Sequence, residues 1–247
     1  MLEASLTIPP DEGYLILMPY YEMGTLNDYM KKNAPLSMST RLDMLNQVLD
    51  VVVKCHSIGL YHRDLKLENF CVSEESGHVK VWLNDFGLAT HEAFSKTRGC
   101  GSLGYMPPEA VHSIKNKRHA VMMDASKQDT WSLAMLVVNI LFMVCTWRVA
   151  DNSDHLYALY QEYRETYLIM TLPITEKVNR VLLGAFDPNW QMRTSVAEFV
   201  YGMKQAIKCG IECDRSEFLK RSRDFKGIME RQVPGRTAYP SPAATIE

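Results

Sequence analysis

The sequence predicts an α+β fold that is mainly helical, with one or two short strands at its N-terminal end. Three observations lead there. Leu42, Leu45, Leu49, Val52 and Val53 recur at the spacing of one helical face. Leu133 to Trp147 is almost wholly apolar, and a helix apolar on every side belongs inside a core. Val79-Lys80-Val81-Trp82-Leu83 alternates as a half-buried strand does.

From the N-terminus, Leu15-Ile16-Leu17-Met18 reads as a short apolar strand behind the turn-rich Pro9-Pro10-Asp11-Glu12-Gly13. Ala4 to Ile8 is its expected hairpin partner. Thr25 to Lys32 begins a helix, the Leu42–Val53 face follows, and helical patterning returns from Ile174 onward. Asp214 to Glu247 is charged and then rich in Pro and Ala, which predicts a tail of low order. No internal repeat is evident.

At 247 residues the chain is long enough for one sizeable core, or a lobe with appendages, at about 100–200 residues per domain. A formal net charge of −2 gives no bulk pull toward nucleic acid or an anionic membrane, so neither is an expected partner. The six cysteines (55, 71, 100, 145, 209 and 213) form no Cys-x-x-Cys pair. They read as reduced thiols of a cytoplasmic protein, with a nuclear location left open, rather than as a disulfide frame or a zinc site. Cys100 reads as a structural thiol, since redox sensitivity requires a lowered pKa. The N-terminus has neither the basic region nor the long apolar region of a secretory signal. The Leu133–Trp147 run is shorter than the roughly 20 residues a bilayer requires, and Asn139 interrupts it. Lys220, Arg221, Arg223 and Lys226 alternate with Glu217, Asp224 and Glu230, the pattern of a solvated helix face rather than a localisation patch.

Tyr61-His62-Arg63-Asp64-Leu65-Lys66-Leu67-Glu68-Asn69 concentrates the chemistry, and Asp85-Phe86-Gly87 begins 21 residues after Asp64. Each segment lies behind an apolar stretch. In this order and at this spacing they resemble the catalytic loop and metal-binding segment of the eukaryotic protein kinase family. The resemblance implies a protein-kinase-like fold: mainly the α-helical large lobe, with a one- or two-strand remnant of the small lobe. It assigns residues 1–19 to that remnant, 20–24 to the hinge, 25–208 to the large lobe with its catalytic and activation segments, and 209–247 to the tail.

The same resemblance implies roles. Asp64 accepts or orients the proton of the substrate hydroxyl, and Lys66 reaches the transferring phosphate as a point charge. Asn69 and Asp85 offer the hard oxygen atoms that Mg2+ prefers. Tyr20 and Tyr21 in the hinge, with Cys71 and Asp85, are the implied ATP contacts, and His62 and Arg63 are structural members of the catalytic loop. Gly104-Tyr105-Met106-Pro107-Pro108-Glu109 resembles the end of an activation segment, and Asp129-Thr130-Trp131-Ser132-Leu133 the start of the central helix. Arg193 matches the arginine that pairs with Glu109. ATP and Mg2+ are thus the implied cofactors, and a protein with a Ser or Thr acceptor the implied partner. Lys66 and Ser102, the latter in the substrate-facing loop, resemble the Ser/Thr kinases rather than the tyrosine kinases.

Gly99-Cys100-Gly101-Ser102, Thr146-Trp147-Arg148-Val149-Ala150, and Leu172-Pro173-Ile174-Thr175 with Ala185-Phe186-Asp187-Pro188 narrow the resemblance. They are similar to fungal Ser/Thr kinases of nutrient signalling, cell-cycle control and restraint of meiosis. Leu67 and Pro107 depart from that group, which carries Pro and Ser there. Arg63 and the hydroxyls of Ser95 and Thr97 suggest an activation-loop phosphate switch, although Arg98 occupies the usual acceptor position.

Residues 1–30 contain no lysine or arginine and no Gly-x-Gly-x-x-Gly, so the phosphate lid and strand lysine of a kinase are missing from this sequence. Losing one preorganised electrostatic donor costs about 3 kcal/mol of transition-state stabilisation. The chain alone is therefore expected to be an inefficient kinase, and the bare edge of its first sheet to invite a partner. Three readings stand: the hinge and large lobe of a Ser/Thr kinase cut short by its reading frame, a catalytically weak pseudokinase-like scaffold, or an unrelated binding module. Intact Asp64, Asn69 and Asp85 argue against the second, and the ordered motifs against the third.

Overall fold

The computed structural model describes residues 5–7, 14–95, 99–116 and 122–232. β1 (Ser5–Thr7) and β2 (Tyr14–Ile16) form an antiparallel hairpin with Leu6 opposite Leu15. The strand ends at Ile16 rather than Met18, close ahead of Pro19, which has no N–H to give a ladder and restricts the residue before it. Leu17 and Met18 are left 47% and 53% exposed.

α1 (Leu26–Lys32) starts at Thr25, whose hydroxyl accepts the N–H of Asp28. α2 (Met38–Ser57) starts in the same way at Ser37. Its face of Met44, Leu45, Val48, Leu49 and Val52 is buried, while Leu42 and Val53 sit at the margin of the core. β3 (Phe70–Glu75) and β4 (His78–Leu83) pair antiparallel from Phe70↔Leu83 to Glu75↔His78. Their two-residue loop has Ser76 at φ 53° and Gly77 at φ 77°, the positive angles that match the twist of a hairpin.

The short strand β5 (Phe94–Ser95) pairs with β6 (Met123–Asp124), tying the segment after Asp85 to the start of the central helix. α3 (Pro108–Lys115) lies between them in sequence. α4 (Ala125–Phe142) is that central helix, capped by Asp124 accepting from Ser126 and Lys127. Leu133 to Leu141 are all buried, as a helix without a polar face must be. It stops five residues short of the apolar run, because Met143 turns left-handed (φ 55°) and Asn139 Nδ2 donates to the Val144 carbonyl at 2.7 Å. Asn139 is therefore part of the helix end. Among the described residues no helix is long and apolar enough to cross a membrane.

α5 (His155–Glu162), α6 (Arg164–Thr171), α7 (Glu176–Ala185) and α8 (Val196–Cys209) complete the lobe. α8 opens on a full capping box between Ser195 and Glu198. α2 packs on α4, α8 and β4 in the main core, while Met106, Ala110, Val111 and Met123 around α3 form a second, smaller cluster.

The expectation of a low-order tail is corrected over α9 (Arg215–Gln232), a regular helix packed on α6. Phe225 is buried and meets the rings of Tyr163 and Tyr167 at 5.6 and 6.2 Å, and Phe218 is buried one heptad earlier. Two apolar anchors seven residues apart hold the charged helix to the lobe. Residues 233–247 lie outside the described residues.

Candidate active site

Asp129, fully buried at the start of α4, organises the loop from Tyr61 to Asn69. Its two oxygens accept the backbone N–H groups of His62 and Arg63, each at 2.7 Å, and the ring Nε2 of His56 at 2.9 Å. His56 had no sequence signal; only the fold brings it to Asp129. Gln128, also unmarked in the sequence, donates to the carbonyls of Arg63 and Cys100 and joins this loop to the activation segment. Arg63 is left-handed (φ 65°) and donates from Nε to the Leu88 carbonyl at 2.6 Å.

His62 is a structural residue of this loop. Its Nδ1 accepts the Asp64 N–H, which leaves the proton on Nε2 to be donated to the Asn84 carbonyl at 3.0 Å. Its ring packs 5.0 Å from that of Phe86.

Asp64, 8% exposed, is held on one side only. Oδ2 receives Lys66 Nζ at 2.9 Å and Asn69 Nδ2 at 3.1 Å, while Oδ1 is buried with no hydrogen-bond partner. Burial pushes its pKa up, but the Lys66 bond and charge, the nearby Ser102 hydroxyl and the Asn69 bond outweigh that, so the carboxyl lies below its ordinary value. Lys66 also bonds Ser102 Oγ at 2.9 Å and so bridges the two loops. The close approach of those loops requires glycine. A Cβ on Gly101 (φ 108°) would stand 2.6 Å from the Arg63 carbonyl oxygen, and one on Gly99 2.3 Å from that of Ala110.

Asn69 Nδ2 also donates to the Asp64 carbonyl at 2.8 Å, and the Asn69 carbonyl receives the N–H of Asn84. Asp85, the next residue, is therefore fixed beside Asn69. It is left-handed (φ 58°), exposed, and accepts from the Gly87 N–H. With the Asn69 amide nitrogen committed to Asp64, its oxygen remains as a donor, and the Asp85 carboxylate is a second. Two hard oxygen donors fit Mg2+. Among the described residues, no cluster of three or more His, Cys, Asp or Glu side chains offers an alternative metal site.

The implied ATP contacts divide. Met23 and Gly24 exchange backbone hydrogen bonds with Val72, placing the hinge segment beside β3. Tyr21 stacks near Trp82 at 6.1 Å, and Cys71 Sγ lies 3.6 Å from Asn84 Nδ2. Tyr20 is 88% exposed and joins none of them. Thr97 and Arg98 lie outside the described residues, as does the side chain of Ser95. All six cysteines are unpaired thiols, and burial pushes that of Cys100 up, which agrees with a structural role.

Arg193, 1% exposed, meets Glu109 in a two-bond fork at 2.7 and 2.9 Å. It also donates to the carbonyls of Asp187 and Lys127 and lies 5.0 Å over the Trp131 ring. This pair anchors α3, and with it the segment that begins at Ser102, to the helical body.

A family model described as "Protein kinase domain" matches residues 4–215. "Negative regulator of sexual conjugation and meiosis" from Schizosaccharomyces pombe is 30% identical over 206 residues, 76% of this chain and 43% of that protein. "Serine/threonine-protein kinase KSP1" from Saccharomyces cerevisiae is 32% identical over 154 residues, 61% of this chain and 15% of that protein. The human "Testis-specific serine/threonine-protein kinase 3" is 28% identical over 193 residues, 76% of this chain and 66% of that protein. The chain thus spans less than half the length of the two fungal relatives. With the ordered motifs, the helix-rich lobe and a family match over most of its length, the chain belongs to the protein kinase family, of the serine/threonine type.

Proposed function

We propose that the chain supplies the hinge and large lobe of a kinase that transfers the ATP γ-phosphate to a Ser or Thr hydroxyl of a protein, with Asp64 as the base. One observation carries this reading: Lys66 and Asn69 both hold Asp64 Oδ2, and Lys66 also bonds Ser102, so a carboxylate and an ammonium are fixed together against the activation segment. The substrate hydroxyl donates to the Asp64 carboxylate, its oxygen bonds to the γ-phosphorus, and the bond from that phosphorus to the bridging oxygen breaks to release ADP. Lys66, bonded to Asp64 and Ser102, brings positive charge to the moving phosphoryl group. Asn69 and Asp85 would hold Mg2+, which when bound would neutralise the phosphate charge.

The exposed Leu17, Met18 and Tyr20 beside the hinge support a covering surface there, which we assign to further small-lobe strands or to a partner. The test is phosphate incorporation into a Ser/Thr protein by the purified full chain with labelled ATP and Mg2+. Asp64→Ala is expected to lower the rate at least ~10²-fold. Activity untouched by that change, or none in the parent chain even with small-lobe strands supplied, would favour the scaffold reading.

A further inference from the structure

Gln128 and Asp129 are consecutive residues near the start of α4, and between them they hold both sides of one residue in the catalytic loop. Asp129 Oδ1 accepts the Arg63 N–H at 2.7 Å, and Gln128 Nε2 donates to the Arg63 carbonyl at 3.0 Å. Arg63 is left-handed (φ 65°), a backbone that a residue with a side chain keeps only where its surroundings dictate it. Its carbonyl belongs to the peptide that joins it to Asp64. The direction of that carbonyl therefore sets where the Asp64 side chain starts.

The same Gln128 nitrogen donates to the Cys100 carbonyl at 2.7 Å. That carbonyl belongs to the peptide leading into Gly101, and Ser102, which bonds Lys66 Nζ, follows at once. Gln128 is 3% exposed, and the two protons of its amide nitrogen are both spent, one on each loop. Gly101 lets the loops come this close, since a Cβ there would stand 2.6 Å from the Arg63 oxygen and 3.6 Å from Gln128 Nε2. One nitrogen thus fixes a peptide group beside Asp64 and another beside Ser102, and it does so without a charge.

We propose that Gln128 is a positioning residue of phosphoryl transfer, whose single amide sets the register between the catalytic loop and the activation segment. It acts through the Arg63 and Cys100 peptides, and so aligns Asp64 and Lys66 with the segment on which the substrate rests. The bridge is neutral and internal, so it holds this register with no phosphate on the activation segment. Its part in catalysis rests on the kinase reading; the bridge itself does not.

The first experiment therefore needs no ATP. The full chain is treated with phosphatase, so that no phosphate contributes, and alkylated with iodoacetamide, with each cysteine followed by peptide mass. In the parent, half-buried Cys100 is expected to react more slowly than exposed Cys145. Gln128→Met keeps the length and bulk of the side chain and removes both donors. It should speed alkylation of Cys100 about tenfold and leave that of Cys55, half-buried on α2, unchanged. Should this variant fail to fold, shown by a Cys55 as reactive as Cys145, Gln128→Asn carries the same comparison with an amide one methylene shorter. A parent Cys100 as reactive as Cys145, or a variant Cys100 no faster than the parent's, would overturn the bridge.

Phosphorylation of a Ser/Thr protein tests the catalytic part. Gln128→Met should lower kcat and raise KM for the protein substrate about tenfold, with KM for ATP within about twofold of the parent. A lower kcat with both KM values unchanged is what a smaller folded fraction gives, and would overturn the positioning role. Faster alkylation of Cys100 in the variant, with no phosphotransfer by the parent chain, would overturn the kinase reading and leave the bridge standing.

Discussion

Asp129 Oδ1 accepts the backbone N–H of Arg63 at 2.7 Å across 66 residues of chain, and its other oxygen takes the N–H of His62. The left-handed backbone at Arg63 is thereby held by a carboxylate that has no access to solvent. Asp129→Ala strips partners from His62, Arg63 and His56 at once, and should destabilise the fold by about 3–5 kcal/mol in urea unfolding. Asp129→Asn keeps an accepting oxygen and should cost clearly less. A cost below about 1 kcal/mol for the alanine variant would mean that the loop holds its shape by other means.

The Glu109–Arg193 fork makes a second, separable prediction. Glu109→Ala leaves a buried guanidinium with carbonyl partners only, at an expected cost of about 3–5 kcal/mol. Adding Arg193→Met removes the stranded charge and keeps an apolar body against Trp131, so the double variant should recover part of the loss. Equal stability of the single and double variants, measured by urea unfolding, would show that the charge is not the source of the cost.

The sequence revealed what rests on short-range order. The loop from Tyr61 to Asn69, the segment at Asp85, and Glu109 with Arg193 were legible because this chemistry requires fixed residue types at fixed spacing. The α4 core was legible from apolar content alone. His56 and Gln128 were not, because their partners lie 73 and 65 residues away and nothing local marks them. The docking of α9, though not its helical face, was missed for a different reason. Its charge count was read as solvation, while Phe218 and Phe225, seven residues apart on one face, were the available sign that it docks.

That helix yields a third prediction. Phe225→Ala opens a cavity beneath Tyr163 and Tyr167 and should destabilise the protein by about 3–5 kcal/mol if α9 unfolds with the lobe. Hydrogen exchange distinguishes the outcomes. Amides of α9 that lose protection in the variant while those of α4 keep theirs would identify α9 as an independently opening unit.

Asp64 sets the last prediction, through pH. Its folded-state pKa lies below the unfolded value of about 3.9, so between the two values the unfolded chain binds more protons and stability rises with pH. The contribution is fully present above the unfolded value and is lost as pH falls through the folded one. Asp64→Asn carries no titrating proton at this position. The stability difference between parent and variant should therefore be constant from neutral pH down to about 4 and shift against the parent below it. Urea unfolding from pH 7 to the acid limit of the folded state measures it. A shift that begins well above pH 4 would mean a raised pKa, and Lys66, Ser102 and Asn69 would then not outweigh burial. The same sign governs catalysis: the acid limb assigned to Asp64 should fall below the ordinary carboxylate range, leaving the carboxylate ionised throughout the neutral range.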